Sequence, residues 1–227
     1  MRVIVYVLLA IAVATTAISF IGPSIDLAIA GLFYDPATRR FLAVNNPYLI
    51  PLREHGSIAV TTCVGIVILA LLRMLPWRLP GVLPRNAIAL TLSLIIGPGI
   101  LVNGILKPYS GRPRPIEVTQ FGGDLKFVDW WNLTGGCDSN CSFMSGEGTT
   151  AAWMFGPAML VPPPWRGLAI GAAAVFATAI GLLRMAAGAH FFTDILIGAL
   201  ATILIILAVN RLITGASGLR PDHSPRA

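Results

Sequence analysis

The sequence predicts an all-α membrane protein, a six-transmembrane-helix bundle with both termini in the cytoplasm. Three observations support this prediction. Only 11% of the 227 residues are charged and 56% are hydrophobic, which is too apolar a composition for a soluble domain. Long apolar runs take up most of the chain. The arginines between these runs fall on alternate sides of successive spans.

Six apolar runs are interpreted as helices that cross the bilayer. They cover residues 3–21, 56–75, 86–106, 149–161, 167–183 and 191–209. The first outlasts the core of a usual signal peptide, which favours a membrane helix over a cleaved leader. Residues 24–33 are mostly apolar and include one charged residue, Asp26, which indicates a short interfacial helix or a re-entrant segment. This layout gives a single membrane domain over 1–213 and a short cytoplasmic tail over 214–227.

Glycine and proline positions bear on how the spans pack. Pro98, which stands between Gly97 and Gly99, predicts a kink in the third span. Gly167 and Gly171 form a G-x-x-x-G pattern, which is typical of close helix packing. Neither feature indicates a function.

The loops predict the orientation of the chain. One face would have eight arginines and one acid, Asp222, whereas the other would have eight basic and nine acidic residues. The eight arginines are Arg2, Arg73, Arg78, Arg85, Arg166, Arg211, Arg220 and Arg226. Because positive loops stay in the cytoplasm, the first face is predicted to be cytoplasmic. The long loop 107–146 then lies on the opposite face.

The formal net charge of +6 does not indicate a nucleic-acid partner. The basic residues stand singly between apolar runs and form no stripe along one element. Membrane lipids are the expected partners, and the sequence does not define an oligomeric state.

The three cysteines divide into one thiol within an apolar run and two in a polar loop. Cys63 is interpreted as a buried structural thiol. Cys137 and Cys141 are interpreted as a candidate disulfide, which would require an oxidising compartment. A metal site is the alternative for this pair. No second ligand pair with zinc-like spacing completes it, and no metal is expected.

Six ionisable residues lie within or beside the predicted spans: Lys107, Arg114, Glu147, Arg184, His190 and Asp194. Such residues are costly in a membrane and require a role. A single lysine or arginine at a helix end is explained by its charge reaching the interface. The group as a whole is not explained in this way, because all six are predicted at the non-cytoplasmic boundary, where positive charge is not favoured.

The three cations of this group, Lys107, Arg114 and Arg184, suit a phosphoryl group, whose oxygens need charge stabilisation during displacement. Ser145 and Gly146 directly precede the fourth span, so backbone amides at that helix start are candidates to bind a further phosphate oxygen. The alternative for Ser145 and Gly146 is a simple helix cap.

His190 and Asp194 are four residues apart and would share one face of a helix. The carboxylate would then hold the imidazole in one tautomer and leave its other nitrogen free to attack phosphorus. This predicts a phosphohistidine intermediate, with Asp194 stabilising the imidazolium. A lone histidine near an interface is more often structural, but the neighbouring Arg184 and Asp194 favour the catalytic interpretation.

Three motifs occur in a fixed order along the chain: K-x6-R-P from Lys107 to Pro115, S-G-E at 145–147, and R-x5-H-x3-D from Arg184 to Asp194. Each motif alone is weakly specific, whereas the ordered set is specific. With this set the chain resembles the phosphatidic acid phosphatase type 2 superfamily, which includes bacterial lipid phosphatases and related haloperoxidases. The motifs cover roughly residues 86–210.

The resemblance implies a metal-independent phosphatase without a cofactor, acting on a lipid phosphate at the periplasmic face of a bacterial inner membrane. It implies that His190 is the nucleophile, that Asp194 orients it, and that Lys107, Arg114 and Arg184 bind the phosphate. Lipid A and undecaprenyl (di)phosphate are the favoured substrates, with phosphatidylglycerol phosphate and phosphatidic acid as alternatives. A lipid transporter or flippase is the alternative from another class, in which the ionisable residues would line a path near the bilayer midplane.

The second motif departs from the family pattern. Met144 stands where proline is usual, and Glu147 replaces the histidine that protonates the leaving group in the family. One hypothesis is that Glu147 donates the proton as a neutral carboxyl, which predicts an optimum displaced towards acidic pH. A second is a leaving group that needs little protonation, as in a diphosphate or a sugar 1-phosphate. A third is an inactive lipid-binding protein, which the retained nucleophile and cations disfavour.

Overall fold

The computed structural model describes residues 25–73 and 85–215, together with positions 13 and 17. The predicted span 3–21 and the predicted tail 214–227 lie almost entirely outside the described residues. Nine α-helices are present in the described part: α1 (Ile25–Gly31), α2 (Leu42–Asn45), α3 (Leu49–Arg73), α4 (Arg85–Leu94), α5 (Lys107–Tyr109), α6 (Gly146–Trp153), α7 (Phe155–Leu160), α8 (Arg166–Ala186) and α9 (Phe192–Thr214). A π-helix, two 3₁₀ turns and a two-stranded sheet complete it: Ile95–Leu106, Pro115–Glu117, Thr119–Phe121, and β1 (Tyr34–Asp35) with β2 (Arg40–Phe41).

Four of the described helical segments are long and apolar enough to cross a membrane. They are Leu49–Leu69, Arg85–Tyr109, Arg166–Ala186 and Phe192–Ile213, with mean hydropathies from 1.3 to 2.5. Large apolar side chains such as Ile66 and Val175 are exposed on these segments, as lipid-facing positions require. The protein is a mostly helical membrane protein, and the two-stranded sheet is a departure from the all-α prediction. The count of six spans and the cytoplasmic location of both termini stay predictions.

The predicted span 149–161 is not one helix in the structure. It is divided at Met154 into α6, of eight residues, and α7, of six. Pro157 is the physical reason, because it has no N–H to donate to the carbonyl of Trp153 one turn earlier. Trp153 also fixes the break, since its indole Nε1 donates to the Leu90 carbonyl at 3.2 Å.

The third predicted span changes its helical period three residues before the proline. Residues after α4 form the π-helix Ile95–Leu106, with Pro98 inside it. The side-chain amide of Asn103 donates to the Pro98 carbonyl at 2.6 Å, a contact between residues five positions apart in the same segment. The kink predicted from Pro98 stays a prediction, and the segment that contains this proline is a π-helix.

The close packing predicted at Gly167 and Gly171 is not seen among the described residues. Within that part of the chain, a Cβ added at either glycine would meet nothing within 4 Å outside the helix. A G-x-x-x-G pattern permits close approach without requiring it, and here no described helix uses the space.

A small aromatic core lies beside the helices and positions the turn that contains His190. The strands β1 and β2 pair antiparallel with Tyr34 opposite Phe41, and the rings of both contact Phe121 at centroid distances of 5.1 and 5.3 Å. The Phe41 ring packs against Gly188, where an added Cβ would lie 2.4 Å from the ring and where φ is +64°. Only glycine fits both conditions, so the turn between α8 and α9 depends on it.

Helix α1 confirms a short helix within 24–33, but the interpretation of Asp26 as part of an interfacial pattern was wrong. Asp26 is 1% exposed and accepts from the backbone amide of Thr193 at 2.8 Å. A carboxylate in an apolar stretch is stable only where it is paired, and α1 therefore docks against the start of α9.

Candidate active site

His190 lies in the turn between α8 and α9, two residues after Gly188, and is 2% exposed. Its Nδ1 is 2.7 Å from the carbonyl oxygen of Ser142. Since a carbonyl can only accept, Nδ1 holds the proton and Nε2 keeps its lone pair. This is the tautomer that a nucleophilic imidazole needs.

The environment of His190 also keeps the ring neutral. Burial lowers the pKa of His190 well below its ordinary value, and the positive charges of Arg184, Arg114 and Lys107 lower it further. The hydrogen bond to the Ser142 carbonyl acts in the opposite direction and is outweighed. The three cations predicted from the sequence therefore lie near enough to His190 to lower its pKa.

Asp194 does not hold the imidazole directly. Its Oδ2 is 3.9 Å from His190 Nδ1, and it accepts from the Ser142 hydroxyl at 2.5 Å and from the Phe191 amide at 2.8 Å. The expectation that His190 and Asp194 share a helix face was wrong, because α9 begins after Phe191, which is its N-cap. Asp194 caps that helix, and Ser142 stands between the two side chains.

The remaining oxygen of Asp194 contacts Arg112, a residue that the sequence analysis did not single out. Arg112 has no exposed surface, and its guanidinium lies between the carboxylates of Asp194 and Asp26, with the Asp26 contact at 2.6 Å. Burial lowers the pKa of Arg112, but the two carboxylates raise it more, and the net shift is upward. Arg112 is therefore a permanent buried cation.

Every nitrogen of the Arg112 guanidinium has an acceptor. Nε donates to the Val128 carbonyl at 3.1 Å, Nη1 donates to Thr193 Oγ1 at 3.0 Å and to Asp194, and Nη2 donates to Asp26. The guanidinium also lies over the Phe191 ring, with Cζ 4.6 Å from the ring centroid. We refer to Asp26, Arg112, Thr193 and Asp194 as the buried network.

Two signals in the sequence point to the buried network in retrospect. Asp26 is a lone acid in an apolar stretch and required a partner. Arg112 stands two residues before Arg114, within the first motif, where only the lysine and the second arginine fit the family pattern. An ion pair between Asp26 and Arg112 could therefore have been predicted from the sequence.

Arg184 and Glu147 form a second charged contact beside His190. Arg184 Nη1 is 3.4 Å from Glu147 Oε2, and the two side chains are 18% and 27% exposed. The other Glu147 oxygen accepts from the Ser57 hydroxyl at 2.8 Å. Glu147 Oε2 and Arg184 Nε are buried atoms without a hydrogen-bond partner among the described residues. This contact leaves polar capacity free for a ligand.

Lys107 and Arg114 reach the same region from the first motif. A Cβ added at Gly146 would lie 3.1 Å from Asn103 Oδ1 and 3.6 Å from Lys107 Nζ, so glycine lets the ammonium approach the start of α6. Arg114 donates through Nε and Nη2 to the Asn140 carbonyl, at 3.2 and 2.8 Å. We refer to Lys107, Arg114 and Arg184, with Glu147, as the cation cluster.

Ser145 is the N-cap of α6. Its hydroxyl accepts from the Gly148 amide at 3.1 Å, and its own amide points to the Asp194 carbonyl at 3.5 Å. The cap therefore uses the Ser145 side chain. A phosphate at this helix start would be met by backbone amides and not by the hydroxyl.

Cys137 and Cys141 are joined by a disulfide, with their Cα atoms 5.8 Å apart. Cys141 is fully buried, whereas the three residues that the bridge encloses are exposed. The predicted disulfide is thus present in the structure. It lies directly before Ser142, the residue that contacts His190.

Several known proteins are similar to this chain in sequence. Residues 86–217 match the PAP2 superfamily, which is more than half of the chain. The lipid A 4'-phosphatase of Francisella tularensis subsp. novicida is 36% identical over 177 residues, which is 77% of this chain and 80% of that protein. The lipid A 4'-phosphatases of Rhizobium etli and Rhizobium leguminosarum are 40% and 39% identical over 120 residues, 53% of this chain. The matched stretch spans about half the length of these two, 47% and 52%.

The fold has a counterpart among solved structures. It is similar to the crystal structure of a transmembrane PAP2 type phosphatidylglycerolphosphate phosphatase from Bacillus subtilis, with a TM-score of 0.57 and 20% identity. The similarity covers 93% of this chain and 92% of that chain, and at this identity it concerns the fold alone. The ordered motifs, the matched residues and the shared fold agree, and the chain belongs to the PAP2 superfamily.

Proposed function

We propose that this protein hydrolyses a phosphate ester on a membrane lipid through a phosphohistidine intermediate at His190. The observation that supports this is the buried imidazole of His190, whose Nδ1 is 2.7 Å from the Ser142 carbonyl and whose pKa is lowered by burial and by the charges of Arg184, Arg114 and Lys107. In the proposed reaction Nε2 attacks phosphorus and the lipid oxygen leaves with a proton. Water then cleaves the N–P bond, which releases phosphate and restores the imidazole.

Each cation has a task in this proposal. Lys107, Arg114 and Arg184 stabilise the phosphoryl oxygens, whose charge is redistributed during in-line displacement. Their positive charge also disfavours an imidazolium at His190, so the nucleophile stays available before the anionic phosphate arrives. Once phosphate is bound its charge offsets that of the cations, and the imidazolium that forms is less disfavoured.

Glu147 is proposed as the proton donor to the leaving oxygen. It lies where the family has a histidine and contacts Arg184, one of the proposed phosphate ligands. The relatives named lipid A 4'-phosphatase support a sugar hydroxyl as the leaving group, which departs slowly without a proton. This favours a donor over the alternative of a diphosphate or sugar 1-phosphate. An unchanged pH profile in Glu147→Gln would contradict the assignment.

Lipid A is the favoured substrate, with undecaprenyl (di)phosphate as the second candidate. The lipid A assignment is supported by three relatives of that name, one of them matched over most of both chains. We further propose a bacterial inner-membrane protein with six spans, a single domain over 1–213, cytoplasmic termini and a periplasmic site. The distribution of arginines among the loops supports this orientation.

Phosphate release from a panel of phosphorylated lipids tests the proposal. Purified protein is assayed with lipid A, undecaprenyl phosphate, phosphatidylglycerol phosphate and phosphatidic acid. Release is expected to fall at least about 10⁴-fold in His190→Ala. His55→Ala is the matched control, because His55 is an exposed histidine on α3 outside the proposed machinery. Release that survives in His190→Ala refutes the mechanism, and no release by the unmodified protein favours the transporter alternative.

A further inference from the structure

The Cys137–Cys141 disulfide closes a small loop that contacts two parts of the candidate active site at once. We infer that this disulfide is a positioning element for catalysis, which holds Arg114 and His190 in place. The inference rests on the proposed function, because it concerns the same site. Nothing in the motif pattern of the chain assigns the two cysteines a part in the reaction.

The first contact is between the loop and Arg114. The Asn140 carbonyl, inside the bridged loop, accepts from both Nε and Nη2 of Arg114. Asn140 has a φ of +51°, a backbone conformation that few residues other than glycine and asparagine adopt readily. A guanidinium has five N–H donors, so two held by one carbonyl fix its plane and leave others for a phosphate.

The second contact is made by the residue that follows the bridge. The Ser142 carbonyl fixes the tautomer of His190 at 2.7 Å, and the Ser142 hydroxyl donates to Asp194 at 2.5 Å. Asn140 and Ser142 are the two neighbours of Cys141 in the chain. Any shift of Cys141 therefore moves the contacts of a proposed phosphate ligand and of the proposed nucleophile together.

The loop is tied by its backbone to the first motif. The Cys137 amide donates to the Gly111 carbonyl at 3.1 Å, the Cys141 amide to the Lys107 carbonyl at 3.0 Å, and the Ser142 amide to the Arg112 carbonyl at 2.8 Å. These three bonds set the two segments side by side. The disulfide limits how far one end of the loop can separate from the other.

The composition of the loop explains why a covalent link is needed there. Asp138, Ser139 and Asn140 are exposed polar residues, and they bury no apolar side chain that would hold the loop against the protein. Cys141 is its only fully buried member. The bridge therefore replaces the packing that usually orders a loop beside a reaction centre.

Opening the bridge is expected to lower kcat/KM by about 10- to 100-fold, the effect of a displacement of roughly 1 Å at a reaction centre. KM should rise because Arg114 loses its fixed plane, and kcat should fall because His190 loses its fixed tautomer. A link that served stability alone would leave both constants unchanged at temperatures where the protein stays folded.

The test compares oxidised and reduced full-length protein in a Cys63→Ser background, which removes the free thiol. Dithiothreitol supplies two electrons and two protons to the disulfide and becomes a cyclic disulfide itself. The double variant Cys137→Ser/Cys141→Ser serves as a permanently open form. Reduced protein and double variant should give the same raised KM and lowered kcat, and dithiothreitol should not affect the double variant. Unchanged constants in folded, reduced protein overturn the inference.

Arg114→Met separates positioning from a general loosening of the structure. In this variant reduction should no longer change KM, because the group through which the loop acts on binding is absent, but it should still lower kcat. If reduction raises KM equally with and without Arg114, the positioning of Arg114 by the loop is refuted. Thermal unfolding of each form, followed by tryptophan fluorescence, verifies that it is folded at the assay temperature.

Binding of inorganic phosphate distinguishes failure of this inference from failure of the proposed function. If no lipid in the panel is hydrolysed by the oxidised protein, the proposed function fails, and calorimetry with phosphate still tests the loop. Phosphate should then bind about tenfold or more weakly to the reduced protein. Equal phosphate affinity in the oxidised and reduced states overturns the inference whether or not the protein is a phosphatase.

Discussion

Two clusters of charge belong to the region around His190, and they differ in how completely their groups are paired. In the buried network one guanidinium serves two carboxylates, and every nitrogen of Arg112 has an acceptor. In the cation cluster three cations face one carboxylate, and the Arg184–Glu147 contact is 3.4 Å. Charged groups whose hydrogen bonds are all made within the protein stabilise the fold, whereas charged groups with unused donors and acceptors can bind a ligand.

Arg112→Met should produce the largest effect and should act on stability. The change leaves the buried carboxylates of Asp26 and Asp194 without their cation, which typically costs about 3–5 kcal/mol. Chemical unfolding in detergent measures the loss. If Arg112→Met unfolds within about 1 kcal/mol of the unmodified protein, the buried network is not what stabilises this end of the molecule.

Arg184→Gln should show the opposite pattern, with activity lost and stability retained. Removing one donor to a developing negative charge lowers kcat by roughly 10²- to 10³-fold. Unfolding should change little, because Arg184 is part of an unsaturated cluster. Arg85→Gln is the matched control, since Arg85 is an exposed arginine at the start of α4. Equal losses in both variants would contradict the distinction between the clusters.

Asp26→Asn should give a smaller loss of stability, of about 1–3 kcal/mol, because it weakens one hydrogen-bonded charge and leaves Asp194 paired with Arg112. The kcat of the folded fraction should stay within a fewfold of the original, since Asp26 contacts neither His190 nor the cation cluster. Parallel measurement of unfolding and kcat tests this. A large fall in kcat without a loss of stability would show that Asp26 acts in the reaction and not only in the stability of the buried network.

The smallest effect concerns pH. Burial and the cations lower the pKa of His190, so the ring should become protonated only below pH 6.5. The fall of kcat/KM that this protonation causes should therefore also occur below pH 6.5. In Lys107→Met one cation is absent, so this acid limb should move upward, by less than about one pH unit. Comparing the two profiles on one substrate cancels the titration of the substrate itself. A limb that stays in place would show that Lys107 does not act on His190.

The lowered pKa of His190 also determines how this residue affects the free energy of unfolding as the pH changes. In the unfolded chain the imidazole takes up a proton near its ordinary pKa, about 6.5, whereas the folded protein keeps it neutral. The contribution of His190 to the free energy of unfolding is therefore present above that pH and decreases as the pH falls below it.

The sequence was most informative about features whose signal lies in neighbouring residues of the chain. Composition and apolar runs predicted a helical membrane protein, and the order of three motifs predicted the family, because both signals are local in the chain. The division of the predicted span 149–161 was not predicted, since Pro157 does not interrupt the apolar run in which it lies. Its effect depends on the missing N–H, which hydropathy does not record.

The site was predicted as a set of residues but not as a set of contacts. His190 and Asp194 were expected to bond because they are four residues apart, yet the helix begins between them and Ser142 intervenes. Ser142 contributes a backbone carbonyl, and backbone groups leave no mark in a sequence. Asp26 and Arg112 are separated by 86 residues, and only the folded chain brings them together.

Asp26 has a consequence for where this protein can be cut. The region matched to the PAP2 superfamily begins at residue 86, so a fragment bounded by that match would contain all three motifs and lack Asp26. Arg112 would then keep one carboxylate in place of two, and Thr193 would lose the acceptor for its amide. The unit that contains the whole buried network is therefore larger than the region by which the family is recognised.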